Sequence, residues 1–171
     1  MRYHLTTVKT KTLDAHLILA RLADLDTNRG RLVTTNFDHL FEKAQAKLRR
    51  LERSSHRVIV HVAPALPPAK PQTLLGLTHL HGKLGSSANE RDLVLTMADF
   101  GTAYMLEGWA RRFVIDLFRH YHVVFIGYRV EDPTIRYLVS ALAAAREESQ
   151  QFKKSYAIAP YDKDGRCPYL C

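Results

Sequence analysis

The sequence predicts an α/β fold: a Rossmann-like, doubly wound, mostly parallel sheet with helices on both faces. Three stretches carry that expectation: RLVTTNFDHLFE at 31–42, LTHLHG at 77–82 and VVFIGYRVEDP at 123–133. Each runs from a short apolar push into a polar or glycine-bearing corner, and in the first and third a helical repeat follows. In an open parallel sheet, ligands bind outside the carboxyl ends of the strands. These corners hold Asn36, Asp38, His81 and Gly127. The expectation is that the three strand ends face one cleft.

The elements follow in order. A helix is expected from Thr12 to about Asp26, with Leu13, Leu17, Ile18, Leu22 and Leu25 as its apolar face and Thr10 or Thr12 as cap. A polar turn at 27–30 leads to a strand at 31–35. A helix at about 37–51 then places Leu40, Phe41, Ala44, Leu48 and Leu51 at helical spacing. VIVHV at 58–62 is a second strand, and its near-continuous apolar run suits a parallel sheet covered on both faces. Residues 63–71 hold four of the seven prolines and read as a rigid extended loop. A third strand at 74–80 ends at His81-Gly82, and Leu93 to Leu95 is a candidate short strand. A helix in one or two pieces spans 97–120, with Gly101 and Gly108 as candidate breaks. Its buried face is Leu106, Trp109, Ala110, Phe113, Val114, Leu117, Phe118 and Tyr121. A fourth strand at 123–126 turns through Gly127 into a helix capped by Asp132, with Pro133 first. Ile135, Leu138, Val139, Leu142 and Ala143 form its apolar stripe, and YAIA at 156–159 is a last strand.

Composition narrows the function classes. With 171 residues the chain can bury a sizeable core, and 46% hydrophobic and 25% charged residues are ordinary for a globular protein. No apolar run approaches the roughly 20 residues needed to span a bilayer, so no membrane partner is expected. The two cysteines, Cys167 and Cys171, make no disulfide framework, and a reducing cytoplasm is the default location. A net charge of +8 admits anionic partners. The densest basic run is Lys43, Lys47, Arg49, Arg50, Arg53 and Arg57. It lacks interleaved aromatics and reads more readily as a solvated helix face than as a nucleic-acid patch.

Each candidate site residue has a plainer reading beside it. Thr35-x-x-Asp38 fits a helix capping box. Asn36 and Asp38 equally form a polar pair at a strand end, able to orient a water or hold an amide or ribose. His79 and His81, two apart on a strand, share a face. His81, followed by Gly82 just past the strand end, is the better placed to act as a general base near neutral pH. Gly127 is either a tight turn or a point where a ligand approaches the backbone. Asp132 reads first as a cap. No third ligand completes a zinc site with the two histidines, and Cys167 and Cys171 have no second cysteine pair.

Taken together, these stretches resemble the sirtuin family, in particular the sirtuin-like domains of large bacterial multidomain proteins, many linked to antiphage defence. VTTNFDHLFE resembles that group's TTN-aromatic-D signature, HLHG its catalytic His-Gly, and FGTAYMLEGWARRFVIDLF with VVFIGY and the following DP its C-terminal half. The resemblance covers roughly 13–160, within a single domain of 1–171 whose tail is 161–171. It implies NAD⁺ as substrate, with Asn36 and His81 carrying the chemistry. Asn36 would position water or the nicotinamide ribose, and His81 would act as general base on a ribose hydroxyl or water. Thr35, Asp38, Gly82, Gly127, Tyr128 and Asp132 would bind the nucleotide, Asp38 near the nicotinamide carboxamide and Gly127 along the adenosine ribose. The implied reaction is cleavage of the nicotinamide N-glycosidic bond through an oxocarbenium-like transition state.

The sequence departs from the family in three ways. The first Gly-rich βα unit is absent, so the chain is expected to be N-terminally truncated relative to the family. The four-cysteine zinc module of deacylases is absent, which favours an NAD⁺ hydrolase without zinc over a peptide deacylase. Arg129 stands where a small polar residue is usual. Two alternatives stand beside the hydrolase: a non-catalytic sirtuin-like module for oligomerisation or nucleotide sensing, and a basic nucleic-acid-binding domain. Self-association or docking to other domains of a longer parent is expected from an exposed sheet edge. His81 is expected to lie exposed at the cleft, so that His81→Ala would abolish cleavage with little loss of stability.

Overall fold

The structure, a computed structural model, describes residues 13–25, 29–53, 55–85, 92–127, 133–149 and 151–158. Its elements are α1 (Leu13–Leu22), β1 (Arg31–Thr34), α2 (Leu40–Glu52), β2 (Val60–Val62), β3 (Gly76–His79), α3 (Met97–Phe100), a π-helical segment (Gly101–Leu106), α4 (Trp109–His120), β4 (Val123–Ile126), α5 (Pro133–Ser149) and β5 (Ser155–Ile158). All described strand pairings are parallel. β3 lies between β1 and β2, and β4 pairs with β5 in a second sheet. The predicted α/β class is the observed one.

Alternation along β1 shows how the sheet is covered. Leu32 packs into a cluster with Ala20 and Leu25 from the α1 region and Ala44 and Leu48 from α2. Its neighbour Val33 points to the opposite face, as strand pleating requires. It packs against the larger cluster built from Ala110, Phe113, Val114 and Phe118 of α4 and Leu142 of α5. Val123 and Phe125 of β4 join that same cluster. The Arg31 guanidinium, 5.3 Å from the Tyr121 ring centroid, ties the start of β1 to the entry of β4.

Several sequence expectations shift in detail. α2 begins three residues later than predicted. Residues 35–37 stay extended because their backbone is bonded to the segment after β3, as described below. Leu51 is 65% exposed, while Gln45 is buried with its Nε2 donating to the His56 carbonyl at 3.3 Å. On α1, Ile18 and Leu22 are exposed, and Ala20 takes the buried position. The proline-rich loop is folded into turns rather than extended, with Leu66 N–H on the Pro64 carbonyl and Leu74 N–H on the Lys70 carbonyl. Leu93 to Leu95 form no strand: Val94 N–H donates to the His81 carbonyl, and Leu95 N–H is taken by the Asp99 carboxylate at 3.1 Å.

The break before α4 is Gly108, in the left-handed region, and not Gly101, which continues the helix. From Gly101 onward the winding loosens to π, shown by Glu107 N–H on the Thr102 carbonyl at 2.9 Å. That change of period turns Leu106 out to solvent, against expectation. The caps expected at Thr10, Thr12 and Asp132 lie outside the described residues, as do Tyr128, Arg129, Cys167 and Cys171.

Gly76 sets the register of the three-stranded sheet. It has φ of +86°, and a Cβ there would lie 2.1 Å from the Ile59 carbonyl oxygen. Gly127 shares the positive φ, but a Cβ there meets none of the described residues within 4 Å. Gly76→Ala is therefore expected to cost about 3 kcal/mol and Gly127→Ala about 1 kcal/mol. Urea denaturation of the two variants measures the gap, and equal costs would refute the steric account.

Candidate functional site

The ends of β1 and β3 are laced together beyond the sheet. Leu80 N–H donates to the Thr34 carbonyl at 2.9 Å, and Leu84 N–H to the Phe37 carbonyl at 2.9 Å. Between them, His79 Nδ1 donates to the Asn36 carbonyl at 3.2 Å. Asn36 N–H in turn donates to Thr34 Oγ1 at 3.1 Å. Both backbone groups of Asn36 are thus held, while the residue itself is exposed.

Asp38 does not close a capping box with Thr35. Its Oδ1 accepts the Leu40 N–H at 2.9 Å, and the N-cap of α2 is His39, which makes no side-chain cap bond. Asp38 and Thr35 are half-buried beside Asn36.

The two histidines do not share a face, because β3 stops at His79 and its two-residue period stops with it. His79 is completely buried, and its Nε2 lies 3.2 Å from Glu42 Oε1. His81 turns toward α3 and the π-helical segment. Its Nε2 is 2.9 Å from the Tyr104 hydroxyl, and its ring meets Phe100 edge-on at 5.0 Å between centroids. Phe100 and Tyr104 are stacked on each other at 5.8 Å. A capping box starts this helix: Thr96 Oγ1 accepts from Asp99 N–H, and the Asp99 carboxylate accepts from Thr96 N–H at 2.7 Å. His81 is only 5% exposed, which corrects the expectation of an open cleft position. Removing it would cost stability.

Gly82 has φ of +91°, and a Cβ there would lie 2.8 Å from Leu93 Cδ2 and 3.2 Å from the Asp92 carbonyl oxygen. Protein packing therefore already occupies the space its missing side chain leaves. Gly127 ends β4, in the second sheet, and a Cβ there would meet none of the described residues within 4 Å. The structure therefore brings Thr35, Asn36, Asp38 and the segment from His79 to Gly82 together, with Gly127 on a separate sheet.

Glu42 was missed by sequence reasoning. Its Oε1 faces His79, Lys83 Nζ at 3.1 Å and His39 Nδ1 at 3.8 Å. Burial pushes its carboxyl up. The hydrogen bonds from His79, from the backbone and from Lys83 outweigh that and hold it at about 2. The one available signal was helical spacing: Glu42 sits one turn beyond Asp38 on a helix whose next turns are basic. Among the described residues, no group of three or more His, Cys, Asp or Glu is placed to hold a metal ion.

A parallel α/β sheet with polar side chains gathered at the carboxyl ends of two neighbouring strands defines a nucleotide-binding class of fold. Comparison with known families narrows this: the model of the SIR2-like domain matches residues 30–170, and the chain belongs to that sirtuin-like, NAD-related family. It is also similar to the uncharacterized protein y4cA of Sinorhizobium fredii (strain NBRC 101917 / NGR234), at 31% identity over 152 residues. That match covers 87% of this chain and 12% of the relative, so the chain spans only a small part of the relative's length. No helix among the described residues is long and apolar enough to cross a membrane.

The lowered pKa of Glu42 has a consequence for stability. A carboxyl whose folded value lies near 2, against a usual 4.5, adds stability that is complete above pH 4.5 and is lost as pH falls toward 2. The shift corresponds to at most about 3 kcal/mol, reduced to about 2 by solvent screening of the partly exposed side chain. In urea titrations, the stability difference between wild type and Glu42→Gln should narrow across that window. A difference that stays flat with pH would refute the assignment.

Proposed function

We propose that this domain binds NAD⁺ and cleaves its nicotinamide N-glycosidic bond, as an NAD⁺ glycohydrolase. The observation that carries the reading is Asn36. Its backbone is pinned at both ends and its side chain faces solvent beside the strand end. A side chain so pre-set can hold a water or a ribose hydroxyl without an ordering cost at the moment of reaction.

In this reading, nicotinamide departs as a neutral group and positive charge develops on the ribose. Asn36 orients the water that replaces the leaving group. His81 takes a proton from that water or from a ribose hydroxyl. The Tyr104 hydroxyl fits this role because it can either donate to or accept from His81 Nε2, so the proton on that ring can move. Asp38 and Thr35 flank Asn36 and would meet the nicotinamide end. The bare backbone at Gly127 suits an approach by the adenosine ribose, with Tyr128 and Asp132 following it in sequence. Gly82 fits less well as a cradle, since Leu93 fills its space, and its part is to fix His81. No step in this chemistry calls for zinc.

One observation favours a second reading, a non-catalytic nucleotide-binding module: His81 is buried and engaged. Nicotinamide release from NAD⁺ separates the two. Release is expected from wild type. Asn36→Ala should lower it about a hundredfold or more, with the melting temperature nearly unchanged. His81→Asn and Tyr104→Phe should lower both release and stability, Tyr104→Phe by about 1 kcal/mol. Binding of NAD⁺ without release in the folded wild type would establish the module instead.

A further inference from the structure

We propose that buried His79, paired with half-buried Glu42, is the positioning device for Asn36, setting the backbone turn from which its side chain projects. The inference rests on the reading of Asn36 as a site residue.

His79 spans three elements. It ends β3, its Nδ1 meets the Asn36 carbonyl after β1, and its Nε2 meets the Glu42 carboxylate on α2. A carbonyl and a carboxylate both accept only, so the geometry sets both ring nitrogens to donate. The ring lies wholly inside the protein, paired with Glu42. Lys83 and His39 are the other titratable groups on the same carboxylate oxygen. Lys83 follows His81 and Gly82 directly, so Glu42 anchors the loops that carry both Asn36 and His81.

Stability alone explains this arrangement poorly. Glu42 gains from its partners, but apolar side chains of similar size often serve a buried site as well as a charged pair. Among the described residues, Glu42 Oε2 is also buried without a hydrogen-bond partner, a cost. What the pair supplies that an apolar side chain could not is direction. A two-ended donor fixes the Asn36 carbonyl, and with it the angle at which the side chain leaves the turn.

The test compares wild type with His79→Leu, which keeps volume, and Glu42→Gln, which keeps shape and one acceptor. Three measurements are made: imidazole ¹H–¹⁵N spectra at neutral pH, exchange of the Asn36 backbone amide, and nicotinamide release. In wild type, both His79 ring N–H groups should be observed. In both variants the Asn36 amide should exchange at least about tenfold faster. Release should fall about tenfold to a hundredfold in kcat with KM for NAD⁺ little changed. His79 bearing a single ring proton in wild type, or Asn36 exchange unchanged in folded variants, would overturn the proposal. Should wild type release no nicotinamide, the hydrolase reading fails, and the spectra and amide exchange still decide the positioning role. If His79→Leu does not fold, Glu42→Gln decides alone.

Discussion

The pairing of β3 with strands on both sides is the constraint on which the molecule depends. All four residues of β3 are buried, and its backbone groups find partners in β1 and β2. A strand so enclosed cannot slip by one residue without turning His79 away from Glu42 and bringing Thr78 into its place. The position of every group at the strand ends follows from that register. It is enforced by Gly76, where the Ile59 carbonyl leaves no room for a side chain. The lacing of Thr34, Asn36 and Phe37 to Leu80, His79 and Leu84 continues the same register beyond the sheet. The exposed Asn36 side chain is thus carried on backbone that the core has already fixed.

Much of the fold was legible in the sequence because β-branched runs mark strands and helical spacing marks the buried faces of helices. VVFI and the Phe113–Phe118 face fell where expected, and the motif residues at 34–38 and 79–82 do lie together. What stayed hidden was whatever depends on tertiary bonds. The late start of α2 comes from bonds across to the β3 loop, and no propensity encodes those. The π winding after Gly101 is a register change in one helix, invisible to a 3.6-residue template, and it decides that Tyr104 faces His81 while Leu106 faces solvent. Glu42 looked like one more charge on an amphipathic surface. Its role appears only when β3 is placed against α2.

The division of strands into two sheets bears on how a nucleotide would be held. The nicotinamide end of the proposed site rests on β1 and β3, whose loops are bonded to each other. The adenosine end rests on β4, which shares a hydrophobic cluster with Val33 and, among the described strands, pairs with β5 alone. Val124 and Ile126 of β4, and Tyr156 and Ile158 in register on β5, leave one face of that sheet uncovered. Parallel sheets ordinarily bury both faces. The reacting end of the site therefore has the more rigid support, which suits a reaction whose rate depends on orientation more than on affinity.

The two histidines show how surroundings assign roles that sequence spacing leaves equal. Two residues apart, they carry the same side chain, and a strand of uniform period would give them the same face. The strand ends between them, and their partners then differ in kind. His79 meets a carbonyl and a carboxylate, both of which accept only, so its two protons are held in place. His81 meets a hydroxyl, which can accept or donate, and two aromatic rings that fix its plane. A ring that must keep its protons makes a good strut and a poor base. A ring whose proton can move is suited to acid–base work. The proposed division, chemistry at His81 and architecture at His79, rests on the hydrogen-bonding capacity of these neighbours.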